Sequence, residues 1–245
     1  MKILVCVTSV PDTTTKITFT DNNTKLNKAG VTFITGPYDD YALARAVELK
    51  EQAGGTVTVL NVGGADAEPV IRKCLAIGAD DAIRVNAEPT DAYFVAEQIA
   101  AVAKDASYDL ILMGRESIDY NGGQVHGIVA ELLGLPSISP VMVLNVDSDT
   151  AKITREIEGG KEEIEAKLPL VLGCQEPIAE WKIPNMRGIM SARTKPLKVV
   201  EPVANEQLTA VSHYELPAPR GAVKMIPADE AEKLIQFLHS EAKVI

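Results

Sequence analysis

The apolar positions of the first 136 residues alternate between two patterns. Short β-branched runs such as Thr56–Val62 are typical of strands that are buried on both faces. Each run is followed by a longer segment with apolar residues at helical spacing, and glycines such as Gly78 end these segments. This alternation predicts an α/β fold, in which a parallel sheet is covered by helices on both faces. The predicted strands are 2–9, 56–62, 81–85 and 110–113, and the predicted helices are 39–52, 67–77, 91–104 and 124–133.

The pattern changes after Pro136. Residues 142–146 and 168–173 are strand-like, and residues 152–166 between them predict a β-hairpin. The pair Gly159-Gly160 supplies the positive φ angles that two-residue hairpin turns require. We therefore predict one α/β nucleotide-binding domain over residues 1–174, with the hairpin included in it.

The segment 175–228 has little periodicity and holds half of the chain's 14 prolines. So long a structureless loop is uncommon inside a compact domain. Its stretch EWKIPNMRGIMSARTKPL contains the only Trp and is too apolar for an ordinary linker. We predict an extended arm over 175–228 that docks on a partner protein, followed by an amphipathic helix within 229–245.

Composition narrows the classes of function. The net charge of −10 argues against nucleic-acid binding, and no apolar run approaches the roughly 18 residues of a membrane span. The three cysteines (Cys6, Cys74 and Cys174) form no CxxC pair, and the three histidines form no metal-ligand pattern. We interpret the cysteines as buried hydrophobes in a reducing cytosol. We expect a bacterial cytoplasmic protein without a signal or transit peptide, membrane insertion or metal.

The junction DLILMGRESIDYNGGQVHGIVAELLGLP, residues 109–136, is the strongest sign of ligand binding. A strand runs through a Gly-rich loop directly into a helix, at the sheet edge where ligands of parallel α/β proteins bind. Gly122 and Gly123 let the backbone approach a ligand, and the amides at the helix start favour a phosphate. The motifs GxxxxGK[ST], GxSxG and HExxH are absent. The junction predicts a nucleotide pocket without a catalytic constellation beside it.

Six segments succeed one another and together cover essentially the whole chain: they are SVPDTTTKI, GVTFITGPYDDYALARAVELKE, IRKCLAIGADDAIRV, GRESIDYNGGQ, TREIEGG and IPNMRGIMSARTK. In this order they resemble the beta subunit of electron transfer flavoprotein. The resemblance implies a fold of the adenine nucleotide alpha hydrolase-like (HUP) type. It also implies a heterodimer with an alpha subunit, which holds most of the FAD site, and a chain without catalytic residues of its own.

The function implied by the resemblance is electron transport. The heterodimer would accept electrons from flavin dehydrogenases, such as the acyl-CoA dehydrogenases of fatty acid oxidation, and pass them to a quinone oxidoreductase or another acceptor. The beta subunit of simple family members binds a structural AMP. Two alternatives remain open: an electron-bifurcating flavoprotein with a second FAD in place of AMP and NADH as reductant, and a stand-alone nucleotide-binding regulatory module.

The resemblance also implies site residues, by position. Asp119 would accept hydrogen bonds from an adenine amine or a ribose hydroxyl, and Thr13 would lie near the FAD of the alpha subunit. Ile183 stands where the family presents an aliphatic docking anchor, followed by Pro184, Asn185 and Met186. The residues implied to contact AMP, or the ADP part of FAD, are Cys6, Gly36, Pro37, Tyr38, Asp39, Val62, Gly114, Arg115, Asp119, Gly122, Gly123, Gln124 and Val125.

Some positions depart from the family pattern. Gly36 replaces a frequent Asn, and Thr13 stands where an aromatic residue can occur near the flavin. His126 replaces a common Gly, and it is either a phosphate partner or a packed or solvated histidine. Arg115 and Glu116 line either the pocket or a solvated loop. Arg155 and Glu156 form either interface ion pairs or an exposed hairpin face.

Overall fold

A nine-stranded sheet organises the chain in a computed structural model that describes all of residues 1–245. The strands are β1 Lys2–Cys6, β2 Ser9–Pro11, β3 Phe19–Thr20, β4 Lys25–Leu26, β5 Phe33–Thr35, β6 Thr56–Val62, β7 Asp81–Val85, β8 Leu110–Gly114, β9 Ser137–Asp147, β10 Thr150–Ile157, β11 Gly160–Lys167, β12 Leu170–Cys174 and β13 Leu197–Val200. The helices are α1 Pro37–Ala53, α2 Glu68–Ile77, α3 Ala92–Ala103, α4 Val125–Leu133, α5 Met186–Ala192 and α6 Glu232–Phe237.

The order of strands in the sheet is β11-β10-β9-β12-β8-β1-β6-β7-β13. Every neighbouring pair from β9 to β13 is parallel, and only β10 and β11 are antiparallel to their neighbours. From β1 the chain builds outward through β6 and β7, and it then returns to place β8 on the other side of β1. The strand order therefore reverses between β1 and β8, and such a reversal opens a crevice at the carboxyl ends of the strands.

Helices cover both faces of the sheet, as predicted. Successive residues of a strand point to opposite faces, so Ile3 and Val5 join one apolar cluster while Leu4 joins the other. The first cluster includes Leu43 of α1 and Ile71 of α2, and the second receives side chains from α3 and α4. Because both faces are covered, the central strands are almost wholly apolar.

The predicted elements of the first 136 residues are present, within a few residues at their ends. The strand predicted over 2–9 is shorter, because β1 ends at Cys6 and Ser9–Pro11 pairs with β5 in a separate ribbon. The strand predicted over 142–146 is longer, since β9 begins at Ser137. The C-terminal helix is divided into a 3₁₀ turn, α6 and a π-helical turn over Leu238–Ala242. No helix is long and apolar enough to cross a membrane.

The interval 175–228 contains more regular structure than its sequence predicts. The side chain of Asn185 caps α5 by accepting a hydrogen bond from the Gly188 amide at 2.8 Å. A side chain at Gly188 would collide with the Ala76 carbonyl, so α5 lies directly against α2. Strand β13 then extends the sheet beside β7, with Leu197 opposite Ala82. The division of the chain at residue 174 stays a prediction.

Residues 201–214, which we call the strap, form no helix or strand, but hydrogen bonds hold them against the rest of the chain. The buried amide of Gln98 on α3 bonds both backbone groups of Val203, at 2.8 and 3.0 Å. Asp91 Oδ2 accepts hydrogen bonds from the amides of Leu208 and Thr209, both at 2.7 Å. Tyr214 ends the strap, with its ring stacked on Phe19 at 4.9 Å and its hydroxyl 3.3 Å from that of Tyr120. The strap therefore ties α3 to the junction after β8.

Candidate functional site

The carboxyl ends of β6, β1 and β8 lie side by side at the strand-order reversal. Three residues with a predicted site role, Val62, Cys6 and Gly114, end these strands. Helix α1 begins at Pro37, and its first turn places Tyr38 and Asp39 against Gly114 at the end of β8. The structure thus brings the segments around 6, 36–39, 62 and 114 to one edge of the sheet.

One wall of this crevice is built around the carboxylate of Asp39, which is only 3% exposed. It accepts hydrogen bonds from the Thr8 amide at 2.8 Å, the Thr8 hydroxyl at 2.6 Å and the Gly114 amide at 2.8 Å. We call Asp39, Thr8 and Gly114 the Asp39 clamp. It joins the start of α1 to the loop after β1 and to the end of β8, so it fixes the relative position of three segments.

Two effects act on the pKa of Asp39 in opposite directions. Burial raises it, whereas the hydrogen bonds from Thr8 and Gly114 lower it, and the result is a pKa of about 6. Asp39 was predicted to contact the nucleotide. In the structure its carboxylate is occupied by protein donors, which gives it a role in holding the wall.

Glycines at 36 and 114 make this close packing possible. A Cβ atom at Gly114 would lie 2.7 Å from both Oδ1 of Asp39 and Cβ of Tyr38. A Cβ atom at Gly36 would lie 2.5 Å from Oδ2 of Asp39 and would collide with the hydroxyl of Thr8. The departure from Asn at position 36 therefore has a structural reason, because Thr8 fills the space into which a side chain would project.

The loop after β8, residues 118–124, is open, and we call it the open wall of the crevice. Nothing lies within 4 Å of a Cβ atom built on Gly122, and Gly123 has a φ of +58°, which favours glycine. The carboxylate of Asp119 contacts only the amide of Tyr120, at 3.0 Å. Gln124 precedes α4 without a side-chain cap, so the amides of the first turn of that helix, beginning at Val125, remain free to bind an anion.

Arg115 links the crevice to the hairpin. Its guanidinium lies 4.9 Å from the ring centroid of Tyr38 and donates to Glu116 and to Gln175, both at 2.9 Å. Gln175 in turn donates to Glu156 of β10 at 2.6 Å. Arg115 and Glu116 therefore belong to a network between the crevice and the hairpin.

Arg155, which precedes Glu156 on β10, forms an ion pair within the hairpin. Arg155 contacts Glu162 of the neighbouring strand at 2.6 Å, which favours the structural hairpin face over interface ion pairing.

His126 is packed in the structure. A Cβ atom at Gly173 would lie 2.9 Å from its Cδ2 atom, and its Nδ1 lies 3.4 Å from the hydroxyl of Ser137. Burial lowers the pKa of His126. A histidine that is neutral at pH 7 does not neutralise a phosphate, so the structure favours the packed histidine over the phosphate partner.

The remaining predicted site residues lie outside the crevice walls. Thr13 is exposed in the turn after β2, where Asp12 accepts hydrogen bonds from Thr14. Ile183 and Met186 are about three-quarters exposed, at 75% and 74%. Pro184 lines a cavity beside α2, and Asn185 caps α5. The residues predicted to dock a partner are therefore divided between an exposed apolar surface and a structural cap.

Sequence reasoning missed Thr8 and Asn61. Asn61 is 2% exposed, donates to the Val7 carbonyl at 2.8 Å and has an Oδ1 atom without a partner. In both cases a polar residue stands in or directly after a buried apolar strand. Since buried polar groups are nearly always hydrogen-bonded, such an interruption is the signal that would have found them.

Comparison with known proteins decides the family. The profile of the electron transfer flavoprotein domain matches residues 24–205. The electron transfer flavoprotein subunit beta of Bacillus subtilis (strain 168) is 36% identical over 260 residues, covering 100% of both chains. The chain belongs to the electron transfer flavoprotein beta-subunit family. Members of this family are electron-transfer subunits rather than catalytic enzymes, and so is this chain.

Two other relatives extend this comparison. The electron transfer flavoprotein subunit beta of Syntrophomonas wolfei is 34% identical over 249 residues, covering 100% of this chain and 98% of its own. The acryloyl-CoA reductase electron transfer subunit gamma of Anaerotignum propionicum is 32% identical over 208 residues, covering 82% of this chain and 78% of its own. The family therefore includes subunits of reductase complexes as well as subunits named for electron transfer alone.

Proposed function

We propose that this electron transfer flavoprotein subunit binds AMP between β1 and β8, completes an FAD site with an alpha subunit, and docks flavin dehydrogenases through its arm. The main support for a nucleotide site is the contrast between the two crevice walls. The Asp39 clamp supplies a fixed surface, and the facing loop supplies free backbone amides. Neither wall offers a nucleophile, which suits a nucleotide that is bound and not transformed.

The residues present fit an adenine nucleotide. The amides of Gly123, Gln124 and Val125 suit a phosphate, because the start of α4 adds its favourable dipole. The exposed carboxylate of Asp119 suits a ribose hydroxyl or the adenine amine. The orphaned Oδ1 atom of Asn61 adds an unmet acceptor at the same edge of the sheet.

FAD supplies the redox chemistry of the heterodimer when it is bound. We expect this chain to contribute to that site through the exposed turn at Thr13, which follows β2. Electrons enter from flavin dehydrogenases such as acyl-CoA dehydrogenases and leave to a quinone oxidoreductase or another acceptor. The family assignment supports this direction of transfer, and a stand-alone regulatory module would have no use for the exposed arm.

Nucleotide extraction from the heterodimer purified with its alpha subunit tests the cofactors. We expect one FAD and one AMP per heterodimer. Two FAD molecules, with reduction by NADH, would instead support the bifurcating alternative. A complex without flavin would contradict both proposals.

Docking through the arm is tested by Ile183→Ala. We expect dehydrogenase-dependent reduction of the heterodimer to fall about tenfold, because one buried aliphatic anchor can carry much of a small interface. Ile235→Ala is the matched control, since it makes the same substitution outside the arm, on α6, where Ile235 is 62% exposed. The FAD content of both variants should equal that of the wild type. Equal activity of the two variants would exclude Ile183 as the anchor.

A further inference from the structure

A cavity of about 490 Å³ lies between α2 and α5, directly beside the docking residues. We call it the α2–α5 pocket. Its cationic residues are Arg72, Lys73 and Arg193, and its apolar residues include Pro69, Pro184 and Ile189. No acidic residue lines it, although the chain as a whole has 34 acidic and only 24 basic residues. A local excess of positive charge on an acidic protein marks a place where a negative group is stabilised.

The three cations are not equivalent. Nη1 of Arg72 donates to the carbonyls of Ala192 and Lys195, both at 2.8 Å, so this side chain is fixed against the arm. Lys73 has a partner in Asp40, at 3.2 Å. Arg193 is exposed, and its side chain makes no hydrogen bond or ion pair within the chain, although its backbone amide donates to the Ser191 carbonyl. Arg193 is therefore the cation that is free to form an ion pair with an anionic group of another molecule.

The position of the pocket indicates the source of that charge. Pro184 and Ile189 belong both to the pocket lining and to the segment that exposes Trp181, Ile183 and Met186. A protein that covers the exposed apolar residues would also cover the pocket opening. Charged residues at the edge of such an apolar contact commonly fix its register and orientation.

We propose that the α2–α5 pocket receives an acidic side chain of the docked dehydrogenase, with Arg193 as its principal partner. This inference rests on the proposed docking function. The aliphatic anchor supplies buried apolar area, whereas the pocket sets the orientation in which the partner is held.

The test compares Arg193→Glu with Arg187→Glu in the heterodimer. Arg187 lies on α5, which ends directly before Arg193, and it is exposed and does not line the pocket. Both variants change the net charge equally. The probe is a purified acyl-CoA dehydrogenase from the source organism, with association and dissociation measured by surface plasmon resonance. We expect Arg193→Glu to raise Kd about tenfold through faster dissociation, and Arg187→Glu to change Kd less than about threefold through slower association.

Rescue identifies the partner group. A Glu→Lys or Asp→Lys substitution on the dehydrogenase should restore the affinity of Arg193→Glu and weaken binding of the wild type. Equal changes of Kd in Arg193→Glu and Arg187→Glu would overturn the pocket proposal, because general electrostatic attraction would then explain both changes. Loss of inorganic phosphate binding in Arg193→Glu, with unchanged dehydrogenase affinity, would also overturn it and assign the pocket to a free anion.

The anchor variant separates this proposal from the docking function. If Ile183→Ala weakens binding while Arg193→Glu matches its control, docking by the arm stands and the pocket proposal fails. If neither Ile183→Ala nor Arg193→Glu affects binding, the docking function itself fails. Thermal unfolding and FAD content confirm that each variant is folded and assembled, which we expect because the Arg193 side chain holds no other part of the chain.

Discussion

The two walls of the proposed nucleotide crevice are built in opposite ways. The Asp39 clamp is buried, hydrogen-bonded at every contact and too tight for a Cβ atom at Gly114. The facing loop at Gly122 and Gly123 has open space around it and free amides. The difference indicates how the two walls would act on the proposed ligand: the Asp39 clamp would fix its position, and the open loop would supply the hydrogen-bonding groups.

The largest loss of stability should follow the addition of a methyl group to the wall that contains the Asp39 clamp. Gly114→Ala places a Cβ atom 2.7 Å from Asp39 Oδ1 and from Tyr38 Cβ. We expect the free energy of unfolding to fall by about 3 kcal/mol, because overpacking a buried site forces a backbone shift. Urea denaturation of the purified chain measures this loss, and nucleotide content should fall with it. A stability equal to that of the wild type would contradict this expectation, because it would show that the clamp residues can move apart without a loss of stability.

The pH dependence of stability sharpens the description of the clamp. The pKa of Asp39 is raised to about 6, so its contribution is fully present below about pH 4 and is lost as the pH rises through about 6. The stability difference between wild type and Asp39→Asn should therefore narrow by about 2 to 3 kcal/mol across this range, since one pKa unit corresponds to about 1.4 kcal/mol. Urea titrations at several pH values measure it, and a difference that widens with pH would contradict burial as the dominant cause.

A variant that releases the strap should lose an intermediate amount of stability. The strap contacts the open loop through the hydroxyls of Tyr214 and Tyr120. Asp91→Ala removes the side-chain cap of α3, at 2.7 Å from the Phe94 amide, together with the bonds to Leu208 and Thr209. We expect a loss of about 1 kcal/mol, as is usual for a cap, and faster proteolysis within 201–214. Gln98→Ala is the comparison, since it releases the strap at Val203 without uncapping the helix. If neither variant is cleaved faster, the strap is held by other contacts.

The smallest effect on stability should come from a methyl group in the open wall. Gly122→Ala meets no atom within 4 Å, so the free energy of unfolding should change by less than about 0.5 kcal/mol. AMP affinity of the heterodimer, measured by calorimetry after nucleotide removal, should nevertheless fall about tenfold, because the methyl group occupies space that the ligand needs. An unchanged affinity would place the nucleotide away from Gly122.

Periodicity predicted the central sheet well, because each strand there is decided by local pattern. Thr56–Val62 and Asp81–Val85 have the predicted bounds, since apolar runs between helical segments have few alternatives in a parallel sheet. Strand β13 could not be predicted in the same way. Its four residues carry little pattern, and their pairing depends on how α5 packs against α2.

The sequence indicated which segments meet at the edge of the sheet, and nucleotide binding there stays a prediction. Order along the chain and resemblance indicated the segments at 6, 36–39, 62 and 114. The role of Asp39 depends on Thr8, a residue 31 positions earlier, so no local pattern reveals it. Likewise, the buried amide of Gln98 appears in the sequence as one polar residue in an apolar helix, and its partner at Val203 becomes evident only in three dimensions.

The late position of β13 has a consequence for synthesis on the ribosome. Strand β7 borders the sheet as soon as residues 81–85 emerge, yet its neighbour β13 comes from residues 197–200. At about 5 to 20 residues per second, the nascent chain exposes this edge for several seconds. An open edge strand can pair with other chains. Truncation before residue 197 should therefore produce aggregation at the β7 edge, and the arm serves as the chain's own edge cover.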